Sequence, residues 1–170
     1  MYLEIKWILV HNLLLVILFF GIQRTVQAQN APVVTIGTIQ NAVPGNQVTI
    51  PITVSNFNNI GSVSLSLDYD PTKLKFVSAT PNPLLGGSFG DNVIAIDKHR
   101  LVMGWFNLNT GTSLPNGAII VNYIFTYLSG SPTLQWYNDG TSCIFTDPLT
   151  RKLNDIPTST YYINGSVCEA

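Results

Sequence analysis

The sequence predicts an all-β protein in which two sheets pack face to face as a β-sandwich. Segments 47–54 and 62–69 alternate strictly between apolar and polar side chains, which is typical of strands with one buried and one solvated face. Clusters of Gly, Pro and Asn separate such segments at short intervals, as turns between strands do. No segment after residue 28 combines a 3.6-residue apolar repeat with helix caps. Strands with one apolar face bury it against a second sheet.

The strands can be placed along the chain from their alternation. Segment 47–54 has four apolar residues on one face, namely Val48, Ile50, Ile52 and Val54. Segment 62–69 sets serines opposite Val63, Leu65 and Leu67, and a helix would separate Leu65 and Leu67 by about 200°. Runs 93–96 and 101–106 are short and β-rich, with a predicted hairpin turn at 97–100, and segment 119–127 alternates again.

The first 28 residues predict a secretory signal peptide and therefore a secreted or cell-surface protein. Lys6 precedes an apolar run over 13–22, and the chain then turns polar and reaches Ala28. This run is shorter than the roughly 20 residues of a membrane-spanning helix. An uncleaved signal anchor is the alternative, because apolar residues at 7–10 extend the stretch upstream.

Length and composition predict one domain, over residues 30–168. The sequence contains no recognisable catalytic motif. Charged residues make up 10 % of the 170 residues and the net charge is −1, which gives no electrostatic attraction to nucleic acid or anionic membranes. The sequence lacks a Gly-x-Ser-x-Gly turn and a phosphate loop. His99 is the only histidine after residue 28, and the acids are scattered. We therefore expect neither an enzyme nor a metal or cofactor site.

The two cysteines, Cys143 and Cys168, form a candidate disulfide in the exported part of the chain. An isolated pair of cysteines in an oxidising compartment favours a bridge. The alternative is two unpaired thiols, one of them buried and the other near the C-terminus.

Several motifs in order along the chain resemble cohesin domains. The most specific is segment 60–71, in which a small residue and an alternating strand lead into Tyr69, Asp70 and Pro71, with Leu74 following. The other similar segments are 34–39, 44–52, 116–130, 153–157 and 163–167. The resemblance covers essentially the whole exported chain. It implies a jelly-roll sandwich of about nine strands, and a non-catalytic module that binds dockerin-bearing proteins in bacterial polysaccharide-degrading assemblies. A dockerin is a small, calcium-binding helical partner, so calcium would belong to the partner.

The resemblance and the strand parity together indicate a partner-binding face. Its candidate residues are Ser62, Ser64, Ser66, Ile94, Phe106 and Asn107. Many cohesins carry Asn and Asp at the positions of Ser62 and Ser64, a Tyr at Ile94 and an acid near Asn107. The face of this chain is therefore more neutral, with apolar side chains beside hydroxyl groups.

Two other functions remain open at this stage. Trp136 and Tyr137 could stack on sugar rings in a carbohydrate-binding module. Strand alternation, however, directs Trp105 and one of the pair Trp136 and Tyr137 into the core, where large aromatic side chains usually pack. A structural surface protein that self-associates through its sheet edges is the third possibility.

Overall fold

The computed structural model describes residues 29–89, 94–96 and 99–170, with the backbone alone described at 89 and 94–96. The predicted signal peptide, residues 1–28, lies outside the described residues. Strands make up most of the regular structure. In chain order they are β1 (Val33–Ile36), β2 (Ile39–Ala42), β3 (Gln47–Ser55), β4 (Ser62–Asp68), β5 (Leu74–Pro81), β6 (Ser88–Phe89), β7 (Ile94–Ile96), β8 (Arg100–Phe106), β9 (Ala118–Tyr127), β10 (Thr133–Trp136), β11 (Ile144–Thr146), β12 (Tyr162–Ile163) and β13 (Gly165–Glu169). A 3-10 helix (Pro83–Leu85) and one turn of α-helix, α1 (Thr158–Tyr161), complete the described elements.

The strands form two sheets, which confirms the predicted all-β sandwich. The five-stranded sheet has the order β12-β1-β3-β9-β5, and the eight-stranded sheet has the order β2-β13-β10-β4-β8-β6, with β11 paired to β4 and β7 to β8. Both ends of the domain meet in parallel pairs, β1 with β12 and β2 with β13. The segments outnumber the predicted nine strands because β6, β7, β11 and β12 are only two or three residues long.

The core lies between the two sheets and is built from the alternating positions. Val63, Leu65 and Leu67 of β4 are buried, as are all four apolar residues predicted to face inward on β3. Trp105 is 1 % exposed, which confirms its predicted place in the core. Its indole Nε1 donates to the carbonyl oxygen of Gly86 at 2.8 Å, so its polar atom is satisfied within the interior.

The predicted disulfide is wrong, since both cysteines are free. The buried Sγ of Cys143 lies 3.4 Å from the carbonyl oxygen of Tyr137, just past one end of β10. Cys168 lies beyond Ser166, which pairs with Thr133 at the other end of β10. At about 3.3 Å per residue, the thiols are separated by roughly 13 Å or more along the sheet. Bridged cysteines have Cα atoms only about 4.4–6.8 Å apart.

None of the described residues forms a helix that is both long enough and apolar enough to cross a membrane.

Candidate functional site

The outer side of the eight-stranded sheet brings several predicted residues onto one surface, which we term the outer face. β4 lies between β8 on one side and β10 and β11 on the other. Strand register puts opposed side chains on the same side of a sheet. The outer face thus comprises Ser62, Ser64, Ser66 and Asp68 of β4, Arg100, Val102, Gly104 and Phe106 of β8, and Ile144 and Thr146 of β11.

Phe106 is the most exposed large apolar side chain among the described residues of this face, with 49 % of its surface accessible. It stands opposite Ser62 of β4 and Ser88 of β6. The Ser62 hydroxyl bonds the Thr146 hydroxyl at 2.7 Å, which fixes a polar group beside the ring. The structure thus joins Phe106, Ser62 and Ser64 on one surface, as the sequence predicts.

Ser66 departs from the prediction, because its residue is only 5 % exposed. Its backbone amide contacts the Cys143 Sγ at 3.5 Å, and its carbonyl oxygen accepts from the Tyr137 amide at 2.8 Å. The connection between β10 and β11 therefore runs alongside β4 at this residue, on the edge away from β8, where Val102 is the partner of Ser66. Strand parity does not reveal which segment lies beside the strand. Ser66 lies beneath the surface that a partner would touch.

Ile94 and Asn107 were also predicted to bind the partner. The backbone of Ile94 pairs with Val102, and its side chain lies outside the described part of the chain. Asn107 is half-buried and its side chain organises the loop after β8. Its Nδ2 donates to the Thr112 hydroxyl at 3.1 Å and to the Gly111 carbonyl at 3.4 Å. Asn107 therefore acts as a loop-forming residue at the margin of the face.

Gly104 makes a shallow depression in the middle of the outer face. It stands opposite Ser64 on β4. A Cβ atom built on Gly104 would meet nothing within 4 Å. The small side chain of Ser64 and the missing side chain of Gly104 together form the floor of the depression.

A charged pair closes the other end of the face. The Arg100 guanidinium donates to both carboxylate oxygens of Asp68, at 2.5 and 2.8 Å. It also lies 3.3 Å from the centroid of the Tyr137 ring, which is a cation–π arrangement. The hydrogen bond that Arg100 donates to Asp68 is the main reason why the pKa of Arg100 is raised above its ordinary value. The two charges neutralise each other, so this end of the face presents a fixed, planar guanidinium group with little net electrostatic field.

The space on the outer face between Phe106 and Arg100 is wide enough for a helix. Phe106 and Arg100 are six residues apart on β8, which corresponds to about 20 Å along the strand. A helix with its side chains is about 10–12 Å across. A helix of this width fits between the Phe106 ring and the Arg100–Tyr137 pair and would contact one of the two at a time, with hydroxyl groups beneath it.

Trp136 and Tyr137, the predicted sugar-stacking pair, point to opposite sides of the sheet. Trp136 is 9 % exposed and its Nε1 donates to the carbonyl oxygen of Ile163 at 3.1 Å. Tyr137 is 36 % exposed, and the Arg100 guanidinium covers one side of its ring. The two rings therefore do not form a joint, coplanar stacking surface.

The acids that could suggest catalysis hold turns. Asp70 accepts from the amide and hydroxyl of Thr72, and the hydroxyl bond is the main reason why its pKa is lowered. Asp139 accepts from the amides of Thr141 and Ser142, and the bond from the Thr141 amide contributes most to its lowered pKa. A general acid at neutral pH needs a raised pKa. Within the described ranges, no group of three His, Cys, Asp or Glu residues is placed to hold a metal ion.

Two parts of the outer face are absent from the predicted site, the Gly104 depression and the Asp68–Arg100–Tyr137 assembly. Asp68 has outward parity on its predicted strand, but Arg100 falls in the predicted hairpin turn at 97–100, so the sequence pattern does not indicate that the two residues pair. The contact with Tyr137 depends on a strand 69 residues farther along the chain than Asp68, and no local pattern predicts it.

Comparisons with known proteins agree with this architecture. The family model described as "Cohesin domain" matches residues 32–159. Among curated protein sequences, none matches the chain significantly.

Several solved structures share the fold at low sequence identity. A cohesin in a type I cohesin–dockerin complex from Clostridium thermocellum has a TM-score of 0.65 at 14 % identity, and the match covers 86 % of this chain and 99 % of that one. The sixth cohesin of scaffoldin B from Acetivibrio cellulolyticus, in complex with a dockerin, has a TM-score of 0.63 at 19 % identity, over 83 % and 100 %. A non-cellulosomal cohesin from the archaeon Archaeoglobus fulgidus has a TM-score of 0.62 at 16 % identity, over 82 % and 91 %.

The family model spans well over half of the chain, and the sandwich is the one that these solved cohesins share. The chain therefore belongs to the cohesin family.

Proposed function

We propose that this cohesin is a non-catalytic module that binds a dockerin-type helical protein through its outer face. The observation that carries the proposal is the half-exposed Phe106 beside the open depression at Gly104. A few large side chains, aromatic ones prominent among them, supply most of the binding energy in protein interfaces. Solved cohesins in complex with dockerins support this class of partner.

The mechanism is non-covalent recognition by a rigid surface. The strands of the face are held by ladders on both sides of β4, so little ordering entropy is lost on binding. Affinity would come from burying the Phe106 ring and the aliphatic side chains of Val102 and Ile144. Specificity would come from the hydroxyls of Ser62 and Ser64, which can donate or accept hydrogen bonds.

We further propose that the module works outside the cell, in an assembly concerned with polysaccharide. The support for export is the signal-peptide pattern of residues 1–28. The support for a polysaccharide setting is the family's implied role in bacteria. A non-cellulosomal cohesin from an archaeon shares the fold, so a role outside such an assembly is the alternative.

A pull-down tests the partner class. Residues 29–170 are immobilised and exposed to the secreted proteins of the source organism, with calcium or with a chelator. We expect a protein that is retained with calcium, lost with the chelator and not retained by Gly104→Arg. The arginine side chain would fill the depression without strain, because its Cβ meets nothing within 4 Å.

The matched control is Val77→Arg, which adds the same side chain on β5 of the other sheet, at a residue that is 45 % exposed. Retention that ignores both the chelator and Gly104→Arg would contradict the proposal. Equal loss in both arginine variants would also contradict it, because the effect would then come from charge rather than from the outer face.

A further inference from the structure

A groove at one end of the sandwich is separate from the outer face. It lies where the turn after β10 meets α1 and the connection from β12 to β13, and it encloses about 400 Å³. This volume is within the range of roughly 300–1,000 Å³ that small-molecule sites occupy. Aromatic, amide and hydroxyl side chains line it, among them Trp136, Asn138, Thr158, Ser159, Tyr162 and Asn164. Among the described residues of its lining, none carries a formal charge.

The aromatic wall of the groove is rigid, because its polar atoms are already bonded within the protein. The indole Nε1 of Trp136 donates to the Ile163 carbonyl oxygen at 3.1 Å. The Tyr162 hydroxyl lies 3.1 Å from the Cys143 carbonyl oxygen and 3.0 Å from a carboxylate oxygen of Asp155. These rings therefore present apolar surface to the groove rather than free hydrogen-bonding groups.

The amide of Asn138 is the group that points to a ligand. Its Oδ1 accepts from the backbone amide of Gly140 at 3.0 Å, which fixes the orientation of the side chain. Its Nδ2 is buried and is the one buried side-chain nitrogen or oxygen, within the described part of the chain, that has no hydrogen-bond partner. Buried donors are almost always paired, and an unpaired one costs folding free energy. Because Asn138 also lines the groove, an acceptor in the groove would satisfy this donor after a small movement of the side chain.

Asn164 adds a second amide on the neighbouring strand connection. Its Oδ1 accepts from the backbone amide of Trp136 at 3.0 Å, so its Nδ2 is the end left for a ligand. Thr158 and Ser159 are exposed, and their hydroxyls can both donate and accept. The groove thus combines amide donors and two-way hydroxyls with an apolar aromatic wall.

We propose that this groove binds a neutral saccharide. Sugar hydroxyl and ring oxygens would accept from the amides of Asn138 and Asn164, and apolar carbons of the sugar would contact the small accessible part of the Trp136 side chain. An anionic or cationic ligand is disfavoured because the lining offers no opposite charge. A purely apolar ligand would leave the Asn138 donor unpaired.

This site does not depend on the proposed function. Trp136 and Tyr137 point to opposite sides of the sheet, so the groove and the outer face can be altered separately. A partner protein bound on the outer face would leave the groove open.

The test is binding of the purified chain to an array of neutral oligosaccharides, followed by calorimetric titration with the strongest binder. Asn138→Asp retains the oxygen that caps the Gly140 amide and replaces the unpaired donor with an acceptor. We expect this variant to lose affinity by about tenfold or more, the effect of one hydrogen bond to a buried group. Gly104→Arg, on the outer face, is expected to bind the saccharide as the wild type does.

Thr158→Trp provides a second variant if Asn138→Asp does not fold, because it fills the groove from an exposed position. We expect it to abolish saccharide binding while thermal unfolding stays as in the wild type. Failure of the wild type to bind any neutral glycan on the array would overturn the proposal. Binding unaffected by the folded groove variants, or binding of acidic glycans alone, would overturn it as well.

Discussion

Replacing Phe106 with alanine tests the energetic centre of the outer face. The ring is 49 % exposed, and an aromatic side chain has about 150–250 Å² of surface, so about 100 Å² is available to a partner. Burying that area at about 25 cal/mol per Å² is worth about 2.5 kcal/mol. Alanine keeps a small part of the contact, so we expect a loss of about 1.5–2.5 kcal/mol, or roughly 10- to 60-fold in Kd.

The stability of the free protein should change little. Half of the Phe106 ring is already in water, and exposed substitutions usually alter the free energy of unfolding by about 0.5 kcal/mol or less. A thermal melt of the Phe106→Ala variant would check this expectation. A large drop in melting temperature would mean that the ring serves the fold rather than the interface.

The assay is calorimetric titration of the captured calcium-dependent partner into wild-type and variant chains. Val77→Ala is the matched control, since Val77 is 45 % exposed but lies on the five-stranded sheet. We expect Val77→Ala to bind as the wild type does. A Kd for Phe106→Ala within twofold of the wild type would refute the assignment of Phe106 to the interface.

Four further predictions concern charge, thiols and pH. Arg100→Ala removes the partly exposed ion pair with Asp68 and the contact with the Tyr137 ring. Chemical denaturation should therefore show a free energy of unfolding that is lower by about 1–2 kcal/mol. An unchanged denaturation midpoint would contradict this prediction. Because Asp68 and Arg100 neutralise each other, partner affinity should vary less than about threefold between low and physiological salt, and a steep salt dependence in the same titration would contradict a neutral face. Cys168 should react with maleimide in the folded chain and Cys143 only after unfolding, and mass spectrometry that finds a disulfide would contradict both. Burial raises the pKa of the Cys143 thiol to about 11, so the unfolded chain releases this proton first. The free energy of unfolding should therefore fall between about pH 9 and 11, and it should fall by less in the Cys143→Ala variant. Equal losses in the wild type and the variant would contradict the assignment of this pH dependence to Cys143.

Strand alternation predicted the sandwich because burial of one face is a local property of the sequence. Val63, Leu65 and Leu67 show this, since each has a polar neighbour on both sides and each is buried. Parity also placed Phe106 and Ser64 on the outer face correctly.

Long-range packing accounts for the errors. Ser66 has the same parity as Ser64, yet it is 5 % exposed and lies beside the connection between β10 and β11. Cys143 and Cys168 are suitably spaced for a bridge in sequence, yet they lie near opposite ends of β10. Alternation indicates that one of Trp136 and Tyr137 faces the core, but which of the two does so is set by the strands that β10 meets. These features depend on strand order within the sheet, which composition and periodicity do not encode.

Hydrogen–deuterium exchange of the free and partner-bound chain tests the central claim most directly. The account predicts slower exchange in β4 and β8, over residues 62–68 and 100–106, when the calcium-dependent partner is bound. Protection should be absent from β5, on the opposite sheet. Protection confined to β5 or to the groove around Trp136, with β4 and β8 unchanged, would contradict the assignment of the outer face as the binding surface.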